Sequence, residues 1–120
     1  GEEMIKIKEG VTFIFSPGGL AILNAVKSIS RMLNQDLTIT SGSDGQHSGP
    51  DDPHYSGNAY DVRSHDLTEI EKQQVLANLN NLLPREHFYY FLENPGLANE
   101  HFHIQVRNNT HYSIDDFLSA

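Results

Sequence analysis

The chain contains no cysteine. Disulfides, thiolate metal ligands and a cysteine nucleophile are therefore excluded, and redox usage gives no reading of the compartment. Basic residues are scarce: eight Lys and Arg stand against sixteen Asp and Glu, for a formal charge of −8. Nucleic acid is disfavoured as a partner, because such binding is dominated by Lys and Arg contacts to phosphate. The acidic surface reads most simply as a solubility device. No stretch approaches the roughly 18 apolar residues that a membrane span needs. The start Gly1-Glu2-Glu3-Met4 has no charged-then-apolar secretion pattern. Internal repeats and low-complexity linkers are also missing. At 120 residues the chain has room for one hydrophobic core, so residues 1–120 read as a single domain, expected to act as a monomer.

The apolar residues are only 38% of the chain, but they are grouped into periodic segments, which argues against disorder. Val11 to Phe15 alternates and reads as a strand; Ser16-Pro17 then supplies an N-cap and a proline at the first helical position. Ile22, Val26, Ile29 and Leu33 form one stripe along a helix that ends near Asn34. Leu37 to Thr40 is short and β-branched, a strand that delivers the chain into a loop from Ser41 to Pro53. With Gly42, Gly45, Gly49, Pro50 and Pro53 among Asp44, His47, Asp51 and Asp52, that loop cannot be regular structure. Ala59 to Arg63 reads as the next strand. Thr68 and Glu71 make a capping box for a second helix, whose buried face is Val75, Leu76, Leu79, Leu82 and Leu83 and whose stop is Pro84. Phe88 to Leu92 and Phe102 to Val106 are strands of a hairpin, joined by a loop from Glu93 to Asn99, and Ser113 to Leu118 reads as a closing helical turn. The order predicts an α+β domain with a mostly antiparallel sheet of about four strands and helices on one side.

Seven histidines stand out in so short and acidic a chain. His54 closes the long loop, Gly57 can take the positive φ of a tight turn, and Asp61 follows in a strand, so the two side chains can converge. An imidazole and a carboxylate suit Zn²⁺, and a third ligand from another strand leaves a fourth position open, as catalytic zinc sites require. His101 and His103 are two apart on one strand and share a face, so one can coordinate while the other touches substrate or water. A nearby carboxylate could take the proton of a zinc-activated water, and Glu100 is the nearest in sequence.

The pattern His54-x-x-Gly57-x-Ala59-x-Asp61 followed by Glu100-x-x-His103 resembles the zinc D-alanyl-D-alanine peptidase family. Its members are bacterial carboxypeptidases and dipeptidases and phage endopeptidases that cut peptidoglycan, and the hedgehog signalling domain shares its fold and zinc site. The resemblance covers roughly Leu37 to Val106. It implies that His54, Asp61 and His103 are the zinc ligands, that Glu100 is the general base with Glu93 as the alternative, and that His101 matches an extra histidine of several relatives. The implied substrate is a peptidoglycan stem peptide. One departure concerns an arginine that many relatives carry in the loop after the first central strand; Thr40 to Gln46 contains no Arg or Lys.

Duller readings stand beside these. His47, His65, His87 and His111 are isolated near turns, where histidines are more often exposed or simply hydrogen-bonded. Tyr55, Tyr60, Phe88, Tyr89, Tyr90 and Phe91 read as core or pocket wall. Three functions follow in order: a zinc peptidase, a zinc-containing binding or signalling module with little catalysis, and an iron oxygenase triad, last because no cosubstrate pocket is evident in the sequence.

Overall fold

A computed structural model describes residues 5–44, 54 and 57–107. In chain order the elements are β1 (Ile5–Ile7), α1 (Pro17–Leu33), β2 (Leu37–Ser41), β3 (Ala59–Arg63), α2 (Glu69–Leu82), β4 (Phe88–Glu93) and β5 (His101–Val106). Local chemistry sets the helix ends. The Ser16 hydroxyl accepts the Gly19 amide at 2.9 Å, and Asn34, left-handed at φ 51°, closes α1. At the start of α2 both halves of the capping box form: Glu71 N–H to Thr68 Oγ1 at 3.1 Å and Thr68 N–H to Glu71 Oε1 at 2.9 Å.

The strands form one five-stranded mixed sheet in the order β1-β2-β3-β5-β4. All pairings are antiparallel except β1 with β2, which run parallel through Ile5↔Leu37 and Ile7↔Ile39. The four-stranded expectation is thus corrected by a parallel edge strand. A three-residue strand is too short to register as a periodic pattern.

The expected strand over Val11 to Phe15 is also corrected. Val11 and Phe13 do pack against the core, as their alternation implies. The Thr12 amide, however, donates to the Asp44 side chain at 3.1 Å and the Thr12 carbonyl accepts from Ser43 N, so no ladder with a strand develops. The expected turn over Ser113 to Leu118, His47, His111, Tyr55 and most of the long loop lie outside the described residues.

Helix α1 packs on β1, β2, β3 and β5, while α2 packs on α1 and β4. The core between helices and sheet holds Ile22, Val26, Ile29, Leu79, Tyr60, Val62, Phe102 and Ile104, all essentially inaccessible. On α2 the buried face is Val75, Leu79 and Leu83; Leu76 is half-buried, and Leu82 is exposed rather than buried. Strand parity decides the rest. Tyr60 and Val62 of β3 and Phe102 and Ile104 of β5 point to the helices, so Asp61, Arg63, His101 and His103 share the opposite face.

Candidate metal centre

Asp61 and His103 are direct cross-strand neighbours in the β3–β5 ladder, and Arg63 and His101 are the next pair on the same face. Their side chains are therefore held side by side by sheet register rather than by loop conformation. Next to Asp61 the β2–β3 register shifts between Ile39 and Ser41, a bulge at the edge of the site.

His54 comes from the other direction, on the turn that precedes β3. The Gly57 amide donates to the His54 carbonyl at 3.1 Å, and Gly57 has φ 77°. A methyl group on Gly57 would overlap the Ile14 carbonyl oxygen. The Ser16 hydroxyl, which caps α1, also donates to Asn58 Oδ1 at 2.5 Å, and the Asn58 carbonyl accepts from Val106 N at 2.8 Å. The turn carrying His54 is thereby tied to α1 and β5. Gly57→Ala combines a left-handed conformation with a backbone collision, and the expected cost is about 3 kcal/mol or more of folding stability. Chemical denaturation checks this; a loss below about 1 kcal/mol would show that the turn is not constrained in this way.

Three ligand atoms converge. His54 Nε2 is 3.3 Å and His103 Nδ1 3.1 Å from Asp61 Oδ1, and all three lie within 4.8 Å of one another. The first two separations match the edge of a tetrahedron with metal–ligand bonds of about 2.05 Å, which is roughly 3.3 Å. The donor chemistry points the same way. His103 Nε2 donates to Gln105 Oε1 at 2.7 Å, which leaves Nδ1 with its lone pair facing the Asp61 carboxylate. Two acceptors so placed call for a cation between them, a proton or a metal ion. His54 is buried, and Asp61 and His103 are partly buried. The residues fit a metal ion with two imidazole ligands and one carboxylate.

Burial alone would raise the Asp61 pKa, but hydrogen bonds to His103 and His54 and the charges of His54 and His101 hold it well below the usual carboxylate range. Burial likewise disfavours the His103 imidazolium. Its bonds to Asp61 and Gln105, with the Asp61 and Glu93 charges, outweigh that and raise its proton affinity. Asp61 and His103 thus each favour the charged form of the other.

The two candidate bases are in different places. Glu93 opposes His101 in the β4–β5 ladder; its Oε1 is 3.1 Å from His101 Nε2 and 3.9 Å from His103 Nδ1, and its side chain is 40% exposed. His101 Nδ1 donates to the Asn99 carbonyl at 2.7 Å, which aims Nε2 at Glu93, with Asp61 Oδ1 3.7 Å away. Glu100, by contrast, is buried. One carboxylate oxygen receives Lys72 Nζ at 2.7 Å and Ser64 Oγ at 2.7 Å, and the other the Gly96 amide at 2.8 Å. The Gly96 amide, then Lys72 and Ser64, lower its pKa to about 2. A carboxylate so committed has little affinity for a further proton.

Sequence reasoning left out several residues that complete the face. Gln105 follows His103 by two, and Arg63 follows Asp61 by two, so strand alternation alone could have found both. Tyr89 and Phe91, which the sequence reads as core or pocket wall, stack on each other and lie 6.1 and 5.5 Å, ring to ring, from His103. Their place depends on the hairpin register. His65, read as merely hydrogen-bonded, donates to the Ala98 carbonyl at 2.8 Å. No helix among the described residues is long and apolar enough to cross a membrane. Comparison with protein-family models, with curated proteins and with solved structures gives no match.

Proposed function

We propose that the chain is a zinc-dependent peptidase that hydrolyses peptidoglycan stem-peptide bonds, of the D-alanyl-D-alanine peptidase type, with the fold that this family shares with the hedgehog domain. The observation that carries the reading is the convergence of His54, Asp61 and His103 on one point of the sheet face opposite the helices, with a solvent-accessible carboxylate, Glu93, beside it. Two imidazoles and one carboxylate with an open side are the ligand set of hydrolytic zinc sites. A zinc ion there would supply the Lewis acidity that polarises a scissile carbonyl and acidifies a water.

The remaining steps belong to the chain's own groups. Glu93 Oε1 takes the proton of the attacking water as its oxygen adds to the amide carbon. His101 Nε2, 3.1 Å from Glu93 Oε1, is within reach to relay that proton to the leaving nitrogen when the C–N bond breaks. Tyr89 and Phe91 wall the His103 side with apolar surface and limit water there. Glu93 replaces Glu100 as base because the Glu100 oxygens already serve Lys72, Ser64 and Gly96.

Incubation with defined muropeptides, followed by mass analysis, tests the reading. Shortened stem peptides should form with zinc, vanish with chelator and return on zinc restoration. Intact muropeptides in every condition would sink the peptidase assignment and leave a zinc-binding module.

A further inference from the structure

The two histidines of β5 are each opposed by a carboxylate from a different neighbouring strand: Asp61 of β3 stands across from His103, and Glu93 of β4 across from His101. The triad uses the first pair. The second pair repeats its chemistry. His101 Nδ1 donates to the Asn99 carbonyl at 2.7 Å, and a carbonyl only accepts, so the neutral ring carries its lone pair on Nε2. That lone pair meets Glu93 Oε1 at 3.1 Å and Asp61 Oδ1 at 3.7 Å. His103 is held in the same manner, its Nε2 fixed by Gln105 and its Nδ1 facing Asp61 at 3.1 Å. Where a lone pair confronts a carboxylate, a proton or a metal ion has to join them.

Asp61 can serve both sides. An ionised carboxylate offers two oxygens with about four lone-pair directions. Oδ1 lies 3.3 Å from His54 Nε2, 3.1 Å from His103 Nδ1 and 3.7 Å from His101 Nε2. Ions with ligand bonds of about 2.1 Å have ligand–ligand edges of roughly 3.4 Å when four-coordinate and 3.0 Å when six-coordinate. The 3.1 Å between Glu93 Oε1 and His101 Nε2 falls between these values. Water has access to complete the coordination, since a cleft of about 380 Å³ lined by Lys8, Arg63, Asp61 and His101 adjoins the pair. Arg63 opposes His101 from β3, with its guanidinium 4.0 Å from Asp66.

We propose that Glu93, His101 and Asp61 form a second divalent-cation site, which shares Asp61 with the triad and takes up zinc when the ion is in excess. The order of filling follows from the ligands. The triad offers two imidazoles, one of them buried, whereas the second site offers one imidazole and a carboxylate that is 40% exposed. One divalent ion in the triad also balances the charges of Asp61 and Glu93, so the second ion binds against a field already neutralised. The site does not depend on the peptidase reading, but its consequence does. Once Glu93 and His101 are both coordinated, neither can take or relay the proton of an attacking water, and excess zinc arrests hydrolysis.

The test is a titration of the metal-free protein with zinc chloride, read by calorimetry and by the imidazole ¹⁵N resonances. Two ions should bind, the second at least about tenfold more weakly than the first. The His54 and His103 resonances should move with the first equivalent and His101 Nε2 with the second. Glu93→Gln and His101→Ala should each bind one ion. A single ion in the parent, a His101 resonance unmoved through the second equivalent, or a second ion that persists in both variants overturns the site. Hydrolysis of a defined muropeptide in the same samples reports separately, and it should fall by about 10²-fold or more as the second ion binds. Two-ion binding without hydrolysis at any zinc level upholds the site and removes the peptidase reading, whereas hydrolysis undiminished with both ions bound upholds the site and removes Glu93 as base.

Discussion

Zinc added to the metal-free protein is expected to raise its melting temperature by roughly 10–20 °C, and Asp61→Asn is expected to abolish that response. Any ligand that binds only the folded state stabilises it by the logarithm of its saturation, about 4 kcal/mol at a thousandfold excess over the dissociation constant. A domain of about this size gains several degrees per kcal/mol. Asp61 is the hub, since its Oδ1 faces both His54 Nε2 and His103 Nδ1. An asparagine keeps the shape and removes the anionic oxygen that a divalent ion needs. Differential scanning calorimetry of the parent and of Asp61→Asn, with zinc and with chelator, reads the effect. An equal zinc response in the parent and in Asp61→Asn would mean that the ion binds elsewhere.

The second large effect separates the two glutamates. If Glu93 takes the water proton, Glu93→Gln should lower kcat by about 10²- to 10⁴-fold with little change in melting temperature, because its side chain is 40% exposed. Glu100→Gln should do the reverse, slowing catalysis little and lowering stability, because it leaves the nearly buried Lys72 with only the exposed Glu69 carboxylate as its anion. The pH dependence follows from the sign of the shift. The folded-state pKa of Glu100 is depressed to about 2 from an ordinary 4.5. Its contribution to stability is therefore fully present above pH 4.5 and is lost as pH falls toward 2. Acid denaturation of Glu100→Gln should lack that component. A Glu100→Gln enzyme with full stability and lost turnover would return the base to Glu100.

The misplaced base shows where linear reading runs out. Glu100 stands three residues before His103 and looks adjacent to the site, but it precedes β5 and its oxygens are taken by Lys72, Ser64 and the Gly96 amide, whereas Phe102 and Ile104 of β5 face the core. Alternation along a strand sends neighbours in sequence to opposite faces. The carboxylate that reaches the site is Glu93, eight residues from His101 along the chain, brought opposite it by the hairpin register. The missed strand Ile5–Ile7 and the overread segment Val11 to Phe15 have a related cause. Both alternate, and only the partner differs: β2 in one case, the Asp44 side chain and Ser43 in the other.

What could be read from the chain alone was local. Ser16-Pro17, Asn34 and the Thr68–Glu71 box set helix ends through atoms three or four residues apart, and Ala59 to Arg63 announced its strand by alternation, with Gly57 before it as the one residue type that the turn admits. His54 and Asp61 were legible for the same reason, since each sits on a locally determined turn or strand face, whereas the choice of His103 over His101 came from the family resemblance. Tertiary structure alone decided which carboxylate faces the triad, which edge strand completes the sheet, and that Lys8 and Arg63 share a cleft with Asp61. These are through-space outcomes of strand pairing, in which hydrogen-bond register and charge act between segments tens of residues apart and leave no periodic trace in the sequence.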